Sequence, residues 1–286
     1  MDIPQLLVFS APVALAALGE TVSQKSGVIN IGLEGTMLSG AYFGMLGSLT
    51  SHSPYVGLLC GVGVGVLLSL ISGWFCVKLA ADQVVVGAAV NLLAIGVTGT
   101  LFRARFGSSG QLLSVPKVPI IFGTDPVVVF MLLSIPLIWM LLNRTAWGLA
   151  VRAAGEAPKG VEAAGFSVDG LRLTAIAFGG AFGGLAGAYL SLGIAGSFAE
   201  NMTAGRGFVA IAMVTFGRWQ PPYVFLAALL IGYAESLQYV LQGGSSKIPY
   251  ELLIALPYAL ALAVLIVVGK GTMAPQALGL PYRREK

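Results

Sequence analysis

Formal charge is missing from long continuous stretches of this sequence. Residues 3–19, 35–77, 83–102, 126–143, 173–199, 219–234 and 252–269 contain no Asp, Glu, Lys or Arg. A helix needs about 20 apolar residues to cross the hydrocarbon of a bilayer, so several of these runs suffice for one span, and 35–77 holds most of two. Of the 286 residues, 57% are hydrophobic and 10% charged, where an ordinary soluble domain carries about 25% charge. The chain is therefore expected to be an all-α integral membrane protein surrounded by membrane lipid. The 39 glycines and 14 prolines suit membrane helices, which use small residues for close packing and tolerate breaks that face protein or water.

Apolar runs between polar interruptions predict spans near 3–18, 28–49, 55–78, 84–103, 126–143, 173–193, 206–217, 221–241 and 249–268, about nine in all (roughly eight to ten). The run "RGFVAIAMVTFG" (206–217) is short for a crossing and reads as a broken or re-entrant helix. No linker or soluble domain interrupts the pattern, so residues 1–286 read as a single transmembrane domain. The start "MDIPQLL" has no basic n-region, and residues 3–18 are expected to be a retained span. The longest hydrophilic excursion, about 144–172, carries Arg144, Arg152, Lys159 and Arg172, and the tail carries Lys270, Arg283, Arg284 and Lys286. The positive-inside tendency puts both in the cytoplasm and, with nine spans, the N-terminus outside.

Catalysis and metal binding find little support. His52 stands alone in a predicted turn, so no multi-histidine metal site exists. Cys60 and Cys76 fall in apolar runs without ligand spacing and read as packing residues. "GKGT" at 269–272 lacks the earlier glycine of a phosphate loop. The net charge of +4 and pI near 9.1 come from scattered loop residues, so nucleic acid is not an expected partner. No catalytic residue and no metal ligand is assigned.

Polar groups inside apolar runs are then the informative residues. Asn30 and Glu34, spaced i and i+4, are expected on one helix face, pointing inward to bond with freed backbone, while Glu20 and Lys25 stay hydrated in a turn over 19–27. Asn91, and the set Glu235, Gln238 and Tyr239 on one face of a later helix, are candidates for lining a translocation pathway. Gly179, Gly183 and Gly187 recur every fourth residue and predict a face for close helix packing. Within the loop, "KGVEAAGFS" (159–167) reads as a short helix ended by Gly165.

The segments "GETVSQKSGVINIGLEGTMLSGA" (19–41), "RAAGEAPKGVEAAGFSV" (152–168) and "GRGFVAIAMVTFGRWQPP" (205–222) closely resemble the permeases of bacterial ABC importers for nucleosides and simple sugars. The likeness runs over nearly the whole chain. The wording "SGVINIGLEG" and the absence of an extra leading helix look most like the shorter permease of nucleoside importers. The resemblance implies the ABC importer permease fold in a bacterial plasma membrane, with a second homologous permease as partner. It also implies a substrate-binding lipoprotein outside and a separate ATPase subunit that binds ATP and Mg, with no cofactor on this chain. The family's coupling segment maps onto Arg152, Gly155, Glu156, Pro158, Gly160, Ala163, Ala164 and Gly165. "EAAG" (162–165) departs from the signature of maltose-type importers in its glycine spacing and in lacking the later Leu-Pro. The implied function is import of nucleosides by alternating access, with ribose- or galactose-type sugars as the near alternative. An ion-coupled carrier would need titratable groups at midplane, where only Glu235 qualifies.

Overall fold

The computed structural model describes residues 3–107, 115–120, 125–243, 250–268 and 274–282, with no strand among them. The helices are α1 (Ile3–Lys25), α2 (Leu33–Ser51), α3 (Pro54–Gly73), α4 (Gln83–Phe106), α5 (Pro126–Arg144), α6 (Ala146–Glu156), α7 (Pro158–Ala163), α8 (Val168–Tyr189), α9 (Arg206–Phe216), α10 (Pro221–Gly243) and α11 (Tyr250–Val268). A π-helical turn extends α3 to Lys78 and another extends α8 to Ala195. Among the described residues, five helices are long and apolar enough to cross a membrane: Ile3–Lys25, Pro54–Lys78, Gln83–Phe106, Pro126–Arg144 and Val168–Ala195; Arg206–Phe216 is a shorter apolar helix.

α1 is the axis of the bundle. Every residue from Ser10 to Gln24 is buried, because α8, α10, α9 and α5 pack around it. α2, α3 and α8 form a second tightly joined group. In α3 and α4 the outward residues are large and apolar, including Leu59, Leu67, Leu92 and Leu93, as expected of faces that meet lipid tails.

The close group depends on missing side chains. A Cβ at Gly184 would collide with the carbonyl of Gly61, and one at Gly187 with the carbonyl of Met37. The predicted Gly179, Gly183 and Gly187 therefore lie at helix contacts: Gly179 faces α1 at Gly19 and Ser23, and Gly183 and Gly187 face α2 at Leu33 and Met37. Gly180 and Gly184 serve the neighbouring contact with α3, at Gly65 and Gly61.

The first predicted turn is displaced. Residues 19–25 are helical, so Glu20 is not a hydrated turn residue; it is 0% exposed. The chain leaves the helix only at 26–32, where Gly27 adopts φ +94° and donates from its N–H to the Gln24 carbonyl at 3.0 Å, closing α1 with a left-handed cap. Asn30 consequently precedes α2 and does not share a helix face with Glu34.

The ends of α1 and α5, the hairpin α6–α7, the start of α8 and residues 275–282 meet at one end of the bundle. The N–H of Ala277 donates to the Gly155 carbonyl at 2.8 Å and that of Gly279 to Gly27 at 3.0 Å, while Gly155 lies against the Lys25 carbonyl.

Backbone-to-backbone contact at Gly187 leaves no flexible atom to move aside. Gly187→Val is expected to exceed the roughly 1–3 kcal/mol of ordinary overpacking and to leave little folded protein, whereas Gly63→Val, with nothing within 4 Å, is expected to be tolerated. Size-exclusion profiles of the two variants in detergent check this.

Candidate functional site

The non-helical residues 26–32 lie among packed apolar helices, where an unsatisfied peptide group costs several kcal/mol. Polar side chains from other helices meet that requirement. The N–H of Ile29 donates to Gln83 Oε1 at 2.8 Å, and that of Asn30 to Glu20 Oε1 at 2.9 Å. Asn91 bridges the end of the break: its Nδ2 donates to the Ile31 carbonyl at 3.0 Å, and its Oδ1 accepts from the Gly35 N–H at 2.8 Å. Asn30 Nδ2 reaches Ser69 Oγ on α3 at 3.3 Å. Glu20 is itself held by Gln24 Nε2 at 3.1 Å, whose Oε1 accepts from the indole N–H of Trp219 at 2.8 Å.

Glu34 serves another helix. Its two carboxylate oxygens accept from the N–H groups of Gly205 and Gly207 at 2.8 and 2.7 Å. These are orphan donors at the start of α9, and a carboxylate there also complements the helix dipole. Gly207 is required by the close approach, since a Cβ would sit 2.5 Å from the backbone of Glu34. Beside it, Arg206 Nε lies 3.1 Å from Glu235 Oε1, with both side chains largely buried, and Arg206 Nη1 donates to the Met202 carbonyl at 3.2 Å. Tyr258 from α11 donates its hydroxyl to the Ala204 carbonyl. Loop 196–205 and the short α9 are thus tied to α2, α10 and α11.

The structure therefore brings Asn91 and Glu235 into neighbouring parts of one polar thread that runs through Gly35, Glu34 and Arg206. The amide of Asn91 is engaged at both ends by backbone. Gln238 sits on α10 beyond Glu235 and is half-buried; the side chain of Tyr239 lies outside the described residues.

The coupling-segment residues gather on α6, α7 and the turn after them. Thr145 caps α6 by accepting from the Gly148 N–H at 3.0 Å, and Pro158 opens α7. Gly165 ends α7 at φ +86°, with its N–H donating to the Glu162 carbonyl at 2.9 Å and that of Phe166 to Val161 at 3.1 Å. Between α6 and α7 runs an apolar cleft of about 360 Å³, lined by Leu149, Ala153, Gly160, Val161, Ala164 and Phe166 among others. Leu149 and Phe166 are 60% and 55% exposed. Gly155 is buried against Lys25, Arg152 is partly buried, and Glu156, Ala163 and Ala164 face outward.

Sequence reasoning missed α6 as a helix, the amide of Gln83, and Arg172. Arg172 reads as a loop charge but is 1% exposed, because its Nε donates to the Ser26 carbonyl at 3.2 Å and its Nη1 to Leu280 at 3.1 Å. The only available signals were the position of Gln83 directly after the helix-capping Asp82 and of Arg172 within a turn of the helix start after Ser167.

A family model described as "Branched-chain amino acid transport system / permease component" matches residues 3–269. The chain is 34% identical to the guanosine ABC transporter permease protein NupQ of Bacillus subtilis over 99% of its length and 97% of the relative's. It is 30% identical to the nucleoside ABC transporter permease protein NupC of Lactococcus lactis, also over 99% and 97%. Among solved structures, a chain of an inward-facing metal-chelate type ABC transporter shares the fold, with TM-score 0.56 and 18% identity over 93% of this chain and 85% of that one.

Asn91→Leu leaves two buried backbone groups without partners, at about 1–3 kcal/mol each. The variant is expected to lose roughly 2–6 kcal/mol, with Glu34→Ala losing a similar amount through Gly205 and Gly207. Unfolding midpoints in detergent measure both.

Proposed function

The chain belongs to the branched-chain amino acid transport system permease component family, and on that premise we propose that it is a membrane subunit of an ATP-driven ABC importer that carries nucleosides. The observation that carries the substrate class is the end-to-end likeness to guanosine and nucleoside permeases. The hairpin α6–α7 supports the machine: an exposed apolar cleft flanked by Arg152, Glu156 and Lys159 suits docking to a soluble ATPase domain. ATP and Mg belong to that subunit, a second permease completes the pathway, and an external binding protein supplies the ligand.

Arg144, Arg152 and Lys159 put the hairpin end in the cytoplasm by the positive-inside tendency. The tail packs on the same end, which requires an even number of passes between them; α8, α9, α10 and α11 meet that requirement. The five passes of α1 to α5 then place the N-terminus outside. Residues 1–286 form one permease domain whose coupling segment is 144–172.

Transport is by alternating access. ATP binding closes the ATPase pair and displaces α6–α7, and the equilibrium between inward- and outward-open forms shifts only by the differential affinity of nucleotide for the two. Glu235, Gln238 and Tyr239 on α10 flank the pathway, Glu34 holds its wall to α9, and Asn91 holds the start of α2 beside it. Asn91, Glu34, Arg206 and Glu235 are engaged with backbone or with one another, which leaves them little grip on a ligand and favours release.

Uptake of labelled guanosine, adenosine, uridine and ribose is to be compared in cells with and without this chain, its partners intact. Loss of nucleoside uptake is the expected result; loss of ribose uptake alone reassigns the substrate to sugars, and no change overturns the substrate class. Glu156→Trp and Gly165→Trp are each expected to reduce uptake at least tenfold with the chain still in the membrane; normal uptake in either counts against the coupling segment.

A further inference from the structure

Residues 274–282 form a small folded unit at the hairpin end. The N–H of Leu278 donates to the Pro275 carbonyl at 3.0 Å and that of Leu280 to Ala277 at 3.2 Å, with Gly279 at φ +77°. This unit is bonded outward to separate parts of the protein. Toward α6, Ala277 N–H donates to the Gly155 carbonyl at 2.8 Å and Gln276 N–H to Glu156 Oε2 at 3.3 Å. Toward α7, the Tyr282 hydroxyl donates to Glu162, and its ring packs on the small cluster of Ala154, Val161 and Val168. Toward the α1–α2 break, Gly279 N–H donates to the Gly27 carbonyl at 3.0 Å. Arg172 of α8 completes the joint by donating to both Leu280 and Ser26.

α7 touches the membrane-embedded helices lightly, mainly through α6 and the start of α8. α6 also packs on α1, α5 and α8, with Gly155 against Lys25; a displacement of α6–α7 relative to these helices must either rupture the bonds to residues 276–282 or carry those residues along. Carrying them along moves Gly27, inside the break at 26–32 that leads into α2, and Glu34 in the first turn of α2 holds the start of α9. Packed elements of this kind pass on small displacements because they switch between discrete arrangements and do not deform smoothly.

We propose that residues 275–282 are a coupling strap that transmits movement of α6–α7 to the α1–α2 break and from there to α9, with Tyr282 and Arg172 as its positioning residues. The proposal rests on the ABC importer reading above.

The test uses the complete importer reconstituted in liposomes, with labelled guanosine as probe, comparing wild type, Tyr282→Phe and a chain ending at Leu278. The quantity read is ATP hydrolysed per guanosine moved, which a loss of folded complex alone does not change. The strap predicts at least a threefold rise in that ratio for Tyr282→Phe and a larger one for the shortened chain. A wild-type ratio in both variants overturns it, as does a fall in uptake that matches the loss of assembled complex.

A second readout does not depend on the ligand. Spin labels at Phe166→Cys in the turn after α7 and Phe208→Cys on α9, with Cys60 and Cys76 replaced by serine, report their separation before and after ATP trapping. The strap predicts that trapping changes the distance and that Tyr282→Phe at least halves the change. An undiminished change overturns the strap, whatever the ligand. Guanosine that fails to move while the distance still responds to ATP removes only the substrate class, and no response to ATP removes the ATPase coupling and the strap together.

Discussion

A length of non-helical backbone sits inside an apolar bundle, and side chains of α1 and α4 satisfy its peptide groups. Between the capped end of α1 and the start of α2, peptide groups at residues 29, 30, 31 and 35 find partners on Gln83, Glu20 and Asn91. Water would meet this demand at no structural expense in a soluble protein. Here each bond pins one helix to another, so the requirement for hydrogen bonding also specifies how α1, α2 and α4 are arranged. Glu34 extends the scheme to α9, a helix too short to be held by span length alone.

The glycines answer a different demand. In a bilayer little hydrophobic gain drives helices together, and association depends on close packing. α8 approaches α2 and α3 until backbone meets backbone at Gly184 and Gly187. Polar bonds therefore join α1, α2 and α4, while close packing joins α2, α3 and α8. α2 belongs to both groups, which places it at the mechanical centre of the chain.

The helical class, the membrane character and the packing face on α8 were legible in the sequence because they depend on local composition and on periodicity. Gly165 as a helix end was legible for the same reason, since a glycine after an apolar helical pattern marks the left-handed cap. The extent of α1 was not. Residues 19–25 carry Glu20, Gln24 and Lys25, whose polarity signals a surface turn, but Glu20 and Gln24 are taken up by the Asn30 N–H and the Trp219 indole, the latter distant in the chain. Arg172 was misread in the same way: a buried guanidinium and a loop arginine look identical until their carbonyl partners at Ser26 and Leu280 are known.

The break between α1 and α2 also bears on how the protein is made. Residues 26–32 leave the ribosome long before Gln83 and Asn91, and Glu34 long before Gly205 and Gly207. Until those partners arrive, the peptide groups of the break and the carboxylate of Glu34 have no bonding groups from α4 or α9. The peptide groups of the break must therefore keep water or other protein as partners until α4 is synthesised. The final packing of the N-terminal third is thus a joint event of several helices, and its order is written into the spacing between each polar side chain and the backbone it serves.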